Sequence, residues 1–137
     1  MKILVVHRQN DIVNVIKSVL SRRNPVVLQT ESGLDGLLTS RIEHFDLIVC
    51  GTDLPVVTGF ELVRSFRTNS VNRHTPVVFL TNHVDEKTLK LGKALGAIAI
   101  LSNDELSIHL ETIVQEQVPV APDKQWPDLA KAYGRAN

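Results

Sequence analysis

The sequence contains little of the residue types that mark disulfide-rich and zinc-binding proteins. One cysteine stands among 137 residues, so an intramolecular disulfide is excluded and a cysteine-rich zinc site is not expected. That residue, Cys50, lies inside an apolar run, and we expect it to be a small buried hydrophobic residue. The scarcity of cysteine favours a cytoplasmic location over an oxidising compartment.

The sequence also lacks net charge and long apolar runs. Fifteen Lys and Arg residues balance fifteen Asp and Glu residues. No overall field therefore attracts nucleic acid or an anionic membrane, and direct nucleic-acid binding is not expected. No apolar run is long enough to span a bilayer. The apolar N-terminus reaches only to Val6 before His7-Arg8, which is too short for a signal peptide. We predict one domain with a core of ordinary size and no membrane contact.

Short apolar runs alternate with amphipathic segments along the first part of the chain. The predicted strands are Lys2–Val6, Pro25–Gln29, Asp46–Cys50, Val77–Leu80 and Ala97–Leu101. The first three predicted helices are Asp11–Arg22, a segment after Gly33, and Phe60–Arg67; the segment after Gly33 carries Leu34, Leu37, Leu38 and Ile42. The fourth runs from Asp85 to about Leu95, before the stop at Gly96. The fifth opens with the capping box Ser102–Glu105 and continues through Val114. Five strands alternating with five helices predict an α/β fold, a parallel (βα)5 sheet wound on both faces.

The pattern changes near residue 117. We predict a domain over residues 1–116 and a linker or tail over 117–137. Val118 to Pro122 resembles a linker because its prolines cannot continue a helix. Asp128 to Tyr133 has the composition of one or two further turns of helix. The simplest interpretation of the tail, which includes Trp126, is a loosely ordered terminus. The alternatives are that it folds back on the domain, binds a partner or leads to a further segment.

The third predicted strand ends in a polar loop. The apolar run up to Cys50 stops at Gly51, and Asp53, Pro55 and Gly59 follow before the next helix. Open parallel sheets bind ligands outside the carboxyl ends of their strands. The residue types around Gly51 therefore decide what chemistry the fold can perform.

The segments that carry a resemblance to a known family are MKILVV at the start, Gly33-x-x-Gly36-Leu37, DLIVCGTDLPVVTGFEL, PVVFLT and KALGAIAIL. Over residues 1 to about 116 the sequence resembles the response-regulator receiver domain of bacterial two-component signalling. In that family the phosphate-accepting aspartate lies four residues before a loop proline and eight before a loop glycine, a register that Pro55 and Gly59 keep. The resemblance implies a flavodoxin-like fold with strand order 2-1-3-4-5.

The resemblance also implies a set of reactive positions, most of which are changed here. The family uses an aspartate nucleophile, two acidic residues that hold magnesium, a hydroxyl residue and a lysine. The nucleophile position falls on Gly51, the acidic pair on His7 and Arg8, and the lysine on Asn103. Thr81 alone matches. The sequence therefore predicts a pseudo-receiver without the phospho-acceptor aspartate, with no catalytic residue, metal or cofactor, and it is not expected to be an enzyme.

The vacated pocket should still collect polar side chains. The residues expected there are His7, Arg8, Gly51, Asp53, Thr81, Asn82, His83 and Asn103. We expect either Arg8–Asp53 or His7–Asp53 to form an internal ion pair in place of the metal, with solvent exposure of Arg8 as the alternative. Asp104 stands where the family has proline, so a trans Asn103–Asp104 peptide is expected.

The residue types in the pocket are compatible with three further uses. Asp53 is a disfavoured substitute acceptor because no metal ligand or lysine would activate it. A metal site from His7, His83 and Asp53 has suitable ligands, but ordinary loop residues are the simpler interpretation. Arg8, Thr81 and Asn103, with loop amides, have the character of an anion site.

The function that these residues favour is a phosphorylation-independent protein-interaction module in signal transduction. In receivers the face made by the fourth helix, fifth strand and fifth helix commonly mediates pairing, so a signalling protein or a second copy of this chain is the expected partner. Ile100 stands where receivers often have a switch aromatic. The alternative function is a ligand- or anion-sensing domain that uses the vacated pocket.

Overall fold

The computed structural model describes residues 1–119. In this part of the chain five strands and five helices alternate: β1 Lys2–Val6, α1 Asn10–Val19, β2 Val26–Thr30, α2 Gly33–Ile42, β3 Leu47–Gly51, α3 Gly59–Thr68, β4 Val77–Thr81, α4 Glu86–Ala94, β5 Ala99–Ser102 and α5 Leu106–Gln117. Two 3₁₀ turns, Ser21–Arg23 and Asn103–Glu105, follow α1 and β5.

The strands form one parallel sheet in the order β2-β1-β3-β4-β5. The register places Leu4 opposite Ile48 in the pairing of β1 with β3, and Cys50 opposite Phe79 in the pairing of β3 with β4. The predicted (βα)5 architecture and strand order are confirmed. The order reverses beside β1, which is the switch point where open α/β sheets place their clefts.

Helices cover both faces of the sheet, and each face has its own hydrophobic cluster. Val5 and Val49 point to the cluster shared with α1 and α5, whereas Val6 and Cys50 point to the cluster shared with α3. Every residue of β3 and β4 is buried. Burying a side chain such as Val or Leu contributes about 1.5–3 kcal/mol. The buried β3 therefore fixes where its last residue, Gly51, reaches the sheet edge.

The end of α1 and the start of α5 differ from their predicted positions. Helix α1 stops at Val19 because the chain tightens into the 3₁₀ turn and Asn24 takes a left-handed conformation with φ 47°. The predicted capping box opens a 3₁₀ turn before α5. There the Ser102 N–H donates to Glu105 Oε1 at 2.9 Å, and this bond lowers the pKa of Glu105.

The carboxyl end of the domain remains packed beyond the last predicted helical residue. Helix α5 continues to Gln117, and Val118 is buried in the cluster shared with α1. Most of the predicted tail, including Trp126 and the short helix near Tyr133, lies outside the described residues.

Across residues 1–119, none of the helices combines the length and apolar character that crossing a bilayer requires.

One buried side chain, Asn72, joins the loop before β4 to the end of α2. Its Oδ1 accepts hydrogen bonds from the Phe45 N–H and the Thr75 hydroxyl, both at 2.9 Å. Its Nδ2 donates to the carbonyls of Ser40 at 2.5 Å and Glu43 at 2.8 Å. All four donor and acceptor sites of the amide are used, which is what a fully buried amide requires.

We predict that Asn72→Ala destabilises the domain by about 3 kcal/mol, because it leaves several buried polar groups without partners. The matched control is Asn69→Ala, at an exposed asparagine three residues away, which should change the free energy of unfolding by less than about 0.5 kcal/mol. Urea unfolding followed by circular dichroism measures both. Equal unfolding midpoints for the two variants would show that the network contributes nothing.

Candidate functional site

Polar residues that follow the strands meet in one cleft of about 410 Å³ at the carboxyl edge of the sheet. The cleft is lined by His7, Arg8, Gln9, Glu31, Gly51, Thr52, Asp53, Leu54, Leu80, Thr81, Asn82 and Asn103. Seven of the eight predicted pocket residues are among them. The exception is His83, which does not line the cleft.

His83 contributes through its backbone instead of its side chain. The Thr81 hydroxyl donates to the His83 carbonyl at 3.1 Å and accepts from the His83 N–H at 3.2 Å. These two bonds tie the turn after β4 to the end of that strand. Thr81, the one residue that matches the family's reactive set, thus donates its hydroxyl proton to a hydrogen bond within the turn. The His83 residue is exposed.

Gly51 ends β3 at the floor of the cleft, and His7 lies beside it. A Cβ built on Gly51 would stand 3.3 Å from His7 Cδ2, 3.8 Å from His7 Nε2 and 3.7 Å from the Val6 carbonyl oxygen. The first distance is tighter than most contacts of a real Cβ. The imidazole therefore occupies the space next to the place where an acceptor side chain would begin.

The protonation state of His7 follows from its contacts. Its Nδ1 accepts a hydrogen bond from the Gln9 N–H at 3.1 Å, so in the neutral ring the proton lies on Nε2. Burial lowers the pKa of His7 below its ordinary value of 6.5, and Asp11 opposes this only in part. Near neutral pH the ring is uncharged and offers an N–H donor close to Gly51.

The expected ion pair with Asp53 does not form. Among residues 1–119 the ion pairs are Lys2–Glu43, Arg23–Glu111 and Glu86–Lys90, and neither Arg8 nor His7 pairs with Asp53. Arg8 and Asp53 are both exposed. An exposed pair gains at most about 1 kcal/mol and loses side-chain freedom, so water solvates each charge separately. The predicted pairing is wrong, and the alternative of an exposed Arg8 is correct.

Two amides connect the loops on the far side of the cleft. Asn103 Nδ2 donates to Asn82 Oδ1 at 2.9 Å, which joins the turn after β5 to the turn after β4. Asn103 Oδ1 is buried and has no hydrogen-bond partner. No cis peptide occurs among residues 1–119, so the predicted trans Asn103–Asp104 bond is confirmed.

Sequence reasoning missed Glu31 as a residue of the cleft. Glu31 follows β2, whose last residue, Thr30, pairs with Val6 of β1, and Glu31 lines the cleft. The available signal was the rule that all parallel strands end at the same edge. Applying that rule to β2 as well as to β1, β3, β4 and β5 would have included it.

The cleft does not fit the magnesium site of the family that the sequence resembles. Magnesium prefers oxygen ligands in octahedral geometry, whereas a neutral imidazole and an exposed guanidinium stand at the two acidic positions. Within the described part of the chain, no group of three or more His, Cys, Asp or Glu residues is placed to hold a metal ion. His83 is also outside the cleft, so a metal site of His7, His83 and Asp53 does not assemble.

Solved structures share this fold. The chemotaxis protein CheY4 of Vibrio cholerae superposes with a TM-score of 0.69 and 28% identity, covering 82% of this chain and 97% of that one. The phosphorylated cyanobacterial phytochrome response regulator RcpA gives a TM-score of 0.74 at 17% identity, covering 88% and 97%. The receiver domain of a Pseudomonas aeruginosa sensor histidine kinase, with magnesium in its active-site cleft, gives 0.72 at 22% identity, covering 84% and 94%.

Sequence comparison agrees with the structural one. The cell cycle response regulator CtrA of Brucella ovis is 24% identical over 119 residues, covering 84% of this chain and 50% of that protein. This chain thus spans about half the length of the curated relatives it matches. The family model for the response regulator receiver domain matches residues 3–115. The chain therefore belongs to the response regulator receiver domain family.

Proposed function

We propose that this chain is a pseudo-receiver that acts in signal transduction through protein contacts, without phosphorylation of an aspartate. The observation that carries the proposal is Gly51, which stands at the end of β3 where the acceptor would be and has no side chain to phosphorylate. Two-component signalling as the setting follows from the family match. Independence from phosphorylation is the further step proposed here.

The surroundings of Gly51 support this proposal. The neutral His7 ring fills the adjacent space, and Arg8 brings positive charge where the family needs metal-binding carboxylates. Asp53 is exposed and stands near no lysine that matches the family position, because that position is Asn103. Phosphoryl transfer depends on positioned charge around the phosphorus. At the positions that the family uses, the cleft supplies neither the nucleophile nor the metal-binding carboxylates and the lysine.

The face made by α4, β5 and α5 is the proposed contact surface. It exposes two large apolar side chains, Leu89 at 45% and Ile108 at 69%. Ile100, at the position of the family's switch aromatic, is held against Gly92 of α4 so closely that a Cβ there would collide with it. A preformed face of this kind recognises a partner without a chemical step.

A ligand-sensing role for the cleft is the second candidate, and Asn103 favours it. Its buried Oδ1 lacks a partner, and such atoms usually find one in a ligand or water. A ligand that donates a hydrogen bond to Asn103 and accepts one from His7 Nε2 would satisfy both groups. Saturable stabilisation by a small molecule, lost in Asn103→Ala, would place this role ahead of protein contact.

We predict that acetyl phosphate adds no phosphoryl group to the wild-type chain, because Gly51 offers no carboxylate. Intact-mass spectrometry after incubation with magnesium and acetyl phosphate measures this, with a receiver that has the family's aspartate as the reagent control. A phosphorylated wild-type chain would refute the proposal, and mapping would then show whether Asp53 is the acceptor.

The matched pair of variants is Gly51→Asp alone and Gly51→Asp with His7→Asp, Arg8→Asp and Asn103→Lys. The single variant should remain unphosphorylated because the His7 ring crowds the new side chain and the metal ligands are missing. The combined variant restores nucleophile, ligands and lysine, and we expect it to gain a phosphoryl group. Phosphorylation of the single variant would show that His7 and Arg8 are not obstacles.

We predict that replacing Leu89 and Ile108 together by Glu weakens binding to the cognate signalling partner at least ~10-fold, since buried apolar anchors dominate interface energies. The control is Ile42→Glu, an 84% exposed apolar residue on α2. Isothermal titration measures both once crosslinking has identified the partner, and sedimentation velocity measures self-association. Equal weakening by Ile42→Glu would move the interface away from α4, β5 and α5.

The half-buried His7 predicts a pH dependence of stability. Its pKa is lowered in the folded state, so the unfolded chain binds the proton more readily. Stability should therefore fall as the pH decreases from 6.5 through the folded-state pKa. His7→Gln should reduce this loss, and His44→Gln, at an exposed histidine, should not. The urea unfolding midpoints of the wild type and the two variants, measured across this pH range, test the prediction. If the midpoints of all three proteins change with pH in the same way, a buried neutral His7 ring is contradicted.

A further inference from the structure

Helix α2 carries large apolar side chains on the outer side of the molecule. Its buried positions are held by small residues, namely Gly33, Gly36 and Ser40. Three large apolar residues of the helix are exposed by 50%, 57% and 84%, and these are Leu34, Leu38 and Ile42. A surface helix normally turns its apolar side towards the core. This helix therefore retains apolar surface for a contact outside the domain.

Close packing explains why the large side chains lie outside. A Cβ built on Gly36 would stand 2.8 Å from Val6 Cγ2 and 3.2 Å from Leu62 Cδ2. The backbone of α2 thus lies directly against β1 and α3, with no space for a larger residue at that position. Turning Leu38 inward would push the helix away from its neighbours, so the exposure of the apolar residues is built into the fold.

The three exposed residues form a stripe along the helix. They are spaced four residues apart, which places them in one row on the helix surface, and the row is about 12 Å long at the helical rise per residue. Single exposed apolar residues are common and need no explanation, whereas a contiguous row marks an interaction surface. Leu34 and Ile42 lie equally far from Leu38, so the stripe is symmetric about Leu38.

The neighbouring edge strand adds to this apolar surface. Val26 and Leu28 of β2 are 64% and 40% exposed. Leu28 lies opposite Leu4, which belongs to the cluster shared with α3, and Val26 points to the same side because strand residues alternate. Helix α2 packs on β1 and β2. The strand and the helix therefore expose apolar side chains on the same side of the sheet.

The charges beside the stripe are arranged for a second copy in the opposite direction. Asp35 in the first turn of α2 and Arg41 in its last turn are both exposed. In an antiparallel pair centred on Leu38, two residues equally far from Leu38 in opposite directions lie level with each other. Asp35 of each copy is then level with Arg41 of the other, and the helix dipoles oppose each other favourably. A parallel pair would instead place like charges level.

We propose that α2 pairs antiparallel with α2 of a second copy of this chain, across a two-fold axis at Leu38. Such an interface is isologous, so one self-complementary stripe serves both copies. A stable interface buries about 800 Å² of each partner, and a helix of ten residues supplies only part of that area. The pairing is therefore weak and reversible. Strand order places β2 and β5 at opposite edges of the sheet, so the stripe and the face made by α4, β5 and α5 can be occupied together.

Sedimentation velocity of the full chain between ~10 μM and ~1 mM tests the pairing, since interfaces of this size associate weakly. The sedimentation coefficient should rise with concentration. Leu38→Glu should weaken self-association at least ~10-fold, because it places two like charges at the two-fold axis, and Ile42→Glu should weaken it as well. The matched control is Leu89→Glu with Ile108→Glu, which should leave self-association unchanged. Leu38→Glu should leave binding to the signalling partner unchanged, so the two surfaces are tested separately.

Cysteine crosslinking tests the direction of the pairing. The native Cys50 is buried, and burial raises its pKa to about 12, so an introduced surface cysteine is the reactive thiol. Leu38→Cys should form a disulfide-linked dimer under copper-phenanthroline and air, because the two residues meet at the axis. Leu34→Cys should not link to itself, since its two copies lie about 12 Å apart along the helices and a disulfide requires Cα atoms within about 7 Å. Mixed with Ile42→Cys, it should link.

The crosslinking control is Ile108→Cys, at a 69% exposed residue of α5, which reports random collision and pairing through the other face. A wild-type chain that stays monomeric at every concentration would overturn the proposal. So would a Leu38→Cys dimer no more abundant than that of Ile108→Cys. Self-association that Leu38→Glu leaves intact would assign the interface to another surface, and linkage of Leu34→Cys to itself would show a parallel pair. Either result rejects the antiparallel pairing of α2.

Discussion

The structure depends on closing both faces of a parallel sheet. Every residue of β3 and β4 is buried, so the helices must lie very near the strands. Glycine provides the room where the contact is tightest: a Cβ on Gly36 would meet Val6, and one on Gly92 would meet Ile100. Because helices cover both faces of the central strands, β3 and β4 reach solvent at their ends. The cleft lies at the edge where these strands end.

The same constraint explains which features the sequence revealed. A strand buried on both faces is a continuous apolar run, so β1, β3 and β4 were predicted within a residue of their observed ends, and the end of β3 located Gly51. Asn72 was not recognised, because its four hydrogen bonds join segments distant in the sequence. Nothing in a loop asparagine indicates that it will be fully buried. Helix ends such as that of α1 were also missed, since local turn geometry decides them.

In the cleft, residue types and topology predicted which residues line it, but not how their side chains interact. Seven of the eight predicted residues line it because topology alone brings strand ends together. The pairing of Arg8 with Asp53 failed because it depended on side-chain direction and on solvation, which exposed charges usually keep. The role of His7 came instead from a steric relation to Gly51. The His7 imidazole takes up space that a side chain at Gly51 would need. The family pattern describes only which positions carry carboxylates, so it does not suggest this steric relation.

If Gly51 ends the aspartate chemistry, as proposed, a change of state in this domain must come from differential binding, because a ligand shifts an equilibrium only by its preference for one state. The cleft and the proposed contact face differ in what they can bind. The cleft presents solvated charges and a buried amide oxygen, which suit small polar ligands with modest affinity. The face made by α4, β5 and α5 presents the exposed apolar side chains of Leu89 and Ile108, where burial supplies more free energy. Control by contact at that face is therefore physically better supported than control by a ligand in the cleft.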